Sequence, residues 1–212
     1  MKRLIDDSVG AFAGELAAAS PAPGGGSAAA VSGSLAAALV AMVCRLSLGR
    51  DDLAVSEEEL TATLAAAEGL RGRLLELVDE DTAAFDAVMD AVRMPKAEGA
   101  ERSARSAALA EATLAAAAVP LETLMASAQV LTLAATLVGR ANPAAASDLG
   151  VAVELARAAA EGALLNVAIN LGSLSRNDEV EELRSASARE IDVARRSSAA
   201  AAEAIRRGLG VT

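Results

Sequence analysis

Between Glu15 and Arg45 the chain carries no charged side chain, and that run contains the stretch SPAPGGGSAAAVSGS at residues 20–34. A segment so free of charge has to be buried, either inside a protein or in a bilayer. Residues 27–44 approach the length of a membrane span, but their Ala, Ser and Gly bring little transfer free energy compared with a leucine-rich span. The better reading is a helix enclosed by other helices. Gly26, Ala30, Ser34 and Ala38 then form a stripe of small residues that lets a neighbour approach closely.

The remainder of the 212 residues also favours helices. Apolar residues make up 53%, yet aromatics only 1%, with no Trp, no Tyr and two Phe, so small and aliphatic side chains must fill the core. Strands draw on the aromatic and β-branched residues that are scarce here. The expectation is an all-α, antiparallel bundle of about six helices in a single domain over residues 1–212. Periodicity and stop signals place the helices at 5–18, 27–48, 56–93, 98–138, 147–172 and 177–207. SEEE at 56–59 has the form of a capping box, and MPK at 94–96 ends the helix that it begins. Pro120, inside AAAAVPLETL, predicts one kinked helix rather than two. RANPAAASDLG at 140–150 reads as a loop closed by Ser147 or Asp148 as a helix cap.

Nineteen basic against twenty-nine acidic residues give a formal charge of −10, which repels nucleic-acid backbones and anionic lipid; neither nucleic acid nor a membrane is expected as a partner. There is no histidine, the commonest general base and transition-metal ligand. Chemistry therefore falls to carboxylates, amides, Lys, Arg or hydroxyls, and no metal is expected. The one cysteine, Cys44, lies in LVAMVCRL without a base partner and reads as a core thiol. A single cysteine and an N-terminus without an apolar export run make the cytoplasm the expected location.

One acid stands on the wrong face. Over residues 73–94, Leu74, Val78, Phe85, Val88, Met89 and Val92 share one side of a helix, and Asp79, Glu80, Asp86 and Asp90 fall away from it. Asp81 lies three after Val78 and four before Phe85, inside the apolar stripe. A carboxylate buried there must find hydrogen-bond donors or raise its pKa. Two readings stay open: an acid tuned for proton transfer, or a side chain that caps a neighbouring helix or meets water. On the fifth helix Asp148, Ala152, Leu155, Ala159, Gly162, Asn166 and Asn170 share a face. Asp148 and Asn166 lie about 27 Å apart along it and cannot touch one small group. Interhelical hydrogen bonds by Asn166 and Asn170, and a cap by Asp148, are the plain structural readings. The glycines ahead of Ser27 offer unhindered amides at a positive helix end, an arrangement suited to an anion or a polar heterocycle edge.

SPAPGGGSAAA at 20–30, LVDEDTAAFDAVMDAVRMPK at 77–96, VPLE at 119–122, NPAAASDLGVA at 142–152 and GALLNVAINL at 162–171 together resemble the cyclodeaminase/cyclohydrolase family. The resemblance spans nearly the whole chain in order. It implies a helical homodimer acting on one-carbon groups carried by tetrahydrofolate, with no cofactor beyond that substrate. It implies Asp81 as the catalytic acid/base, and Pro23, Gly24, Gly25, Gly26, Ser27, Lys96, Asp148 and Asn166 as contributors to the substrate site. Lys96 or Arg50 would meet the folate's carboxylates. The expected reaction is hydrolysis of 5,10-methenyltetrahydrofolate to the 10-formyl form; the alternatives are closure of 5-formiminotetrahydrofolate with loss of ammonia, and a non-catalytic helical module. One departure stands out: where relatives often carry a basic stretch with a tyrosine, this chain has GRDDLAV at 49–55, keeping Arg50 alone.

Overall fold

Three short polar side chains start three of the helices. Ser8, Ser56 and Asn177 accept hydrogen bonds from the backbone N–H groups of Ala11, Glu59 and Val180, supplying partners that a helix N-terminus lacks. The computed structural model describes residues 3–97 and 99–211. Among these a short 3-10 turn, Leu4–Asp6, precedes six α-helices: α1 (Val9–Leu16), α2 (Gly25–Ser47), α3 (Glu57–Arg93), α4 (Ala100–Leu137), α5 (Ala146–Gly172) and α6 (Asp178–Leu209). No strand occurs among the described residues.

The charge-free helix takes the position that its composition demands. α2 packs against α3, α5 and α4, while α6 covers α4 and α5. A Cβ added to Gly26 would meet Asp81, and one added to Gly33 would meet Leu74, so α2 and α3 run antiparallel with contacts seven residues apart on each. Gly162 faces Ala29, and the Ser32 hydroxyl donates to the Leu155 carbonyl at 2.9 Å, which sets α5 antiparallel to α2 as well. Leu74, Leu77, Val78, Leu124, Leu131 and Val153 are fully buried, and the core is aliphatic as the composition requires. α2 and α4 are each long and apolar enough to cross a membrane by length and composition, but 61% of each apolar window is buried against other helices.

Several expectations change in detail. The first helix, expected over 5–18, is a 3-10 turn and a separate α1, because Ser8 caps a new start. The start of the fourth helix, expected at 98, lies outside the described residues, and α4 is seen from Ala100. Neither Ser147 nor Asp148 caps α5. A 3-10 turn, Pro143–Ala145, runs directly into the helix, and it is Asn142 that accepts from the Ala144 N–H. α4 continues through Pro120 as one helix. Proline has no N–H to offer the carbonyl four residues back, that of Ala116. The Asn170 amide donates to this carbonyl at 2.8 Å from α5. The interhelical bond expected of Asn170 is present, and it replaces the bond that Pro120 removes.

Candidate functional site

The buried stripe of α3 stops at Asp81. Leu74, Leu77 and Val78 are enclosed, whereas Phe85, Val88, Met89 and Val92 beyond it are only partly covered, so the carboxylate lies where the core opens. It faces the first turn of α2. Ser27 Oγ donates to Asp81 Oδ2 at 2.8 Å. The same hydroxyl lies 3.3 Å from the Val78 carbonyl and 3.4 Å from Thr82 Oγ1.

Gly26 explains how the acid fits. A Cβ at that position would sit 2.1 Å from Asp81 Oδ1 and 2.6 Å from its Cγ, distances that no side chain tolerates. Of the three consecutive glycines this is the one the chain itself requires. A Cβ on Gly24 would be 3.6 Å from the Pro21 carbonyl, and one on Gly25 3.6 Å from Asn166 Nδ2, both ordinary contacts. The anion at the glycine-rich helix end is thus the protein's own carboxylate. Asp81 bonds the first turn of α2, as the capping reading expects, and its surroundings perturb it as an acid. Burial pushes its pKa up, and Ser27 opposes that shift without cancelling it.

Asn166 extends the site on the α5 side. Its amide donates to the Gly162 carbonyl at 2.9 Å, within its own helix, rather than across helices as expected. That bond holds the amide group beside Gly25. On neighbouring positions of α5, Leu165 and Ile169 are 70% and 74% exposed, large apolar side chains in water on the turns around Asn166. Sequence reasoning missed these two, although an apolar pair four residues apart next to an amide was a signal in GALLNVAINL.

Ser27 is 0% exposed, so in this structure it reaches Asp81 rather than solvent. Pro23 is buried beneath the loop, and Gly24 and Gly25 border the opening. Lys96 lies past the end of α3, more than about 18 Å along the helix from Asp81. It is exposed and makes no ion pair among the described residues. Asp148 lies in the first turn of α5 and Arg50 beyond the C-terminal end of α2, a helix about 33 Å long. Neither shares a site with Asp81 in one chain. Arg50 is engaged by both carboxylate oxygens of Asp52, at 3.0 and 2.7 Å, and by Asn142 Oδ1 at 3.0 Å.

Two further features stand apart from Asp81. A cavity of about 390 Å³ opens at the far end of α2, where Leu53, Leu149 and Ile205 line it, and its Arg140 is bound by Glu59. Cys44 is fully buried and its thiol is pushed up to about 11 by burial, which leaves it unreactive as expected.

The formiminotransferase-cyclodeaminase family model matches residues 8–189. Methenyltetrahydrofolate cyclohydrolase of Methylorubrum extorquens is 40% identical over 177 residues, covering 84% of this chain and 85% of that one. Formimidoyltransferase-cyclodeaminase of Rattus norvegicus is 36% identical over 172 residues, covering 81% of this chain but 32% of the longer rat protein. The crystal structure of formiminotetrahydrofolate cyclodeaminase from Thermotoga maritima superposes with a TM-score of 0.81 at 25% identity, covering 97% of this chain and 96% of that one. A helical bundle of the same architecture, and a family model that matches most of its length, place the inward Asp81 and its glycine-rich helix start in a known lineage: the chain belongs to the formiminotransferase-cyclodeaminase family.

Proposed function

We propose that the protein is a folate one-carbon enzyme that hydrolyses 5,10-methenyltetrahydrofolate to 10-formyltetrahydrofolate, with Asp81 as its general acid/base. The single observation that carries this reading is the half-buried Asp81 carboxylate, its pKa raised, held by Ser27 at the opening beside Gly25 and Gly26. The 40% identical cyclohydrolase, matched over most of both chains, supports the choice of reaction.

The methenyl bridge is an amidinium-like cation. Ionised Asp81 favours that charge and accepts a proton from the water that adds to the bridging carbon. The carbon–N5 bond then breaks. Asp81 returns its proton to N5, and the hydroxyl proton of the adduct leaves to solvent as the formyl carbonyl forms. The proposal calls on no metal or redox group. Leu165 and Ile169 offer apolar surface for the folate's rings, and Lys96 a cation for its carboxylates.

Loss of the methenyl absorbance on adding protein tests the reading, and an unchanged rate of loss for Asp81→Asn would overturn the role of the acid. The cyclodeaminase-named relatives support a second reading, in which N10 attacks a formimino carbon and ammonia leaves. Ammonia release from 5-formiminotetrahydrofolate, measured beside the methenyl assay, separates the two. Exposed Leu35 on α2 and Val151 on α5 also support a homodimer through that face. Light scattering of wild type against Leu35→Asp checks it, and an unchanged mass of one chain for both sinks it.

A further inference from the structure

The Ser27 hydroxyl has one proton and three oxygens within reach. It lies 2.8 Å from Asp81 Oδ2, 3.3 Å from the Val78 carbonyl and 3.4 Å from Thr82 Oγ1. All of this happens at a fully buried side chain, where a polar group left without a partner is costly. A hydroxyl rotates about its C–O bond at little cost and can donate or accept.

We propose that Ser27 is a positioning residue that works as a two-position hydrogen-bond rotor, giving Asp81 a partner in both of its protonation states. When Asp81 is ionised, the hydroxyl donates to Oδ2 along the shorter contact. When the carboxyl holds the proton taken from water, its O–H donates to Ser27 Oγ, and the Ser27 proton turns to the Val78 carbonyl. No bond is made or broken at Ser27. The proton in transit stays on Asp81 until N5 receives it, and the buried group that would otherwise be orphaned in one state is satisfied in both.

Little else near Asp81 is charged. α2 carries no charged residue before Arg45, and α5 none after Glu161, which is bound to Arg195. On α3, Asp79 is held by Arg3 and the Leu4 N–H, and Glu80 by Arg73, which also binds Glu122 of α4. The 3-10 turn packed on α3 adds Asp6 and is followed by Asp7. Burial and Ser27 are the influences that act on Asp81 itself.

The inference rests on the acid/base reading of Asp81, and the test keeps the two apart. The pH profile of methenyltetrahydrofolate hydrolysis is compared between wild type and Ser27→Ala, and the Asp81 carboxyl is titrated by carbon NMR in both free proteins. The expected result is an acid limb and an Asp81 titration both displaced to higher pH in Ser27→Ala, with kcat lower by about 10- to 100-fold near neutrality. If Ser27→Ala does not fold, Ser27→Cys keeps a small buried side chain with a weak donor, and its limb is expected between those positions. An Asp81 titration and a pH profile that stay where the wild type has them overturn the rotor. A displaced titration in a protein whose wild type turns over no folate overturns the catalytic reading and leaves the hydroxyl's hold on Asp81 standing.

Discussion

Gly26 and Asp81 are in such close contact that a single methyl group on the glycine would occupy space 2.1 Å from the carboxylate's Oδ1. The backbone at Gly26 is ordinary helix, so the glycine serves proximity and not conformation. Gly26→Ala is expected to displace the carboxylate and lower kcat at least about 100-fold, the contribution of a positioned acid/base. Gly24→Ala, with its Cβ at an ordinary 3.6 Å from a carbonyl, is expected to change stability by less than about 0.5 kcal/mol. Steady-state kinetics and thermal unfolding of the two variants check the contrast.

Asp81→Asn is expected to lose about 10²- to 10⁴-fold in kcat while gaining stability at neutral pH. Asp81 binds its proton more tightly in the folded chain than in the unfolded one. Its contribution to stability is therefore full below the ordinary carboxylate range and is lost as pH rises through its raised folded value. Urea unfolding at several pH values should show the variant more stable than wild type above that value, with the gap closing in acid. A gap that widens in acid would contradict the burial argument.

Asn170 and Pro120 should be coupled. Asn170→Ala leaves the Ala116 carbonyl without the donor that stands in for the missing proline N–H, at a cost of about 1 to 3 kcal/mol. In a Pro120→Ala background the helix supplies its own N–H, and the same change is expected to cost well under about 1 kcal/mol. Chemical denaturation of the four proteins in this cycle gives the coupling directly, and additive effects would count against it.

Lys96→Ala is expected to raise KM for a folate with several glutamates about 2- to 5-fold and to leave kcat unchanged, the scale of an exposed ion pair. The effect should shrink in high salt. A change confined to kcat would place Lys96 in some other role.

Much of the architecture was legible because it rests on local chemistry. The Ser56 capping box, the stop at MPK and the charge-free run that becomes α2 are each decided within a few residues. The inward acid was legible too, since periodicity alone puts Asp81 on the stripe of Val78 and Phe85. What periodicity could not say is which neighbour would meet it. The loop before α5 was misread for a related reason: Asn142 and Pro143 form a 3-10 turn that feeds the helix, so the cap falls five residues earlier than Ser147.

The order of apolar, small and breaking residues by itself determined that this chain is helical, where most of its helices run, and that one carboxylate points inward. Only the tertiary structure decided that Gly26 makes room for that carboxylate, that the buried Ser27 hydroxyl holds it, and that Asn170 answers for Pro120 from another helix. The division has a physical cause. Helix formation and facing follow from residues three and four apart, whereas these partners are about fifty residues apart in the chain and are brought together only by the packing of α2 on α3 and of α4 on α5.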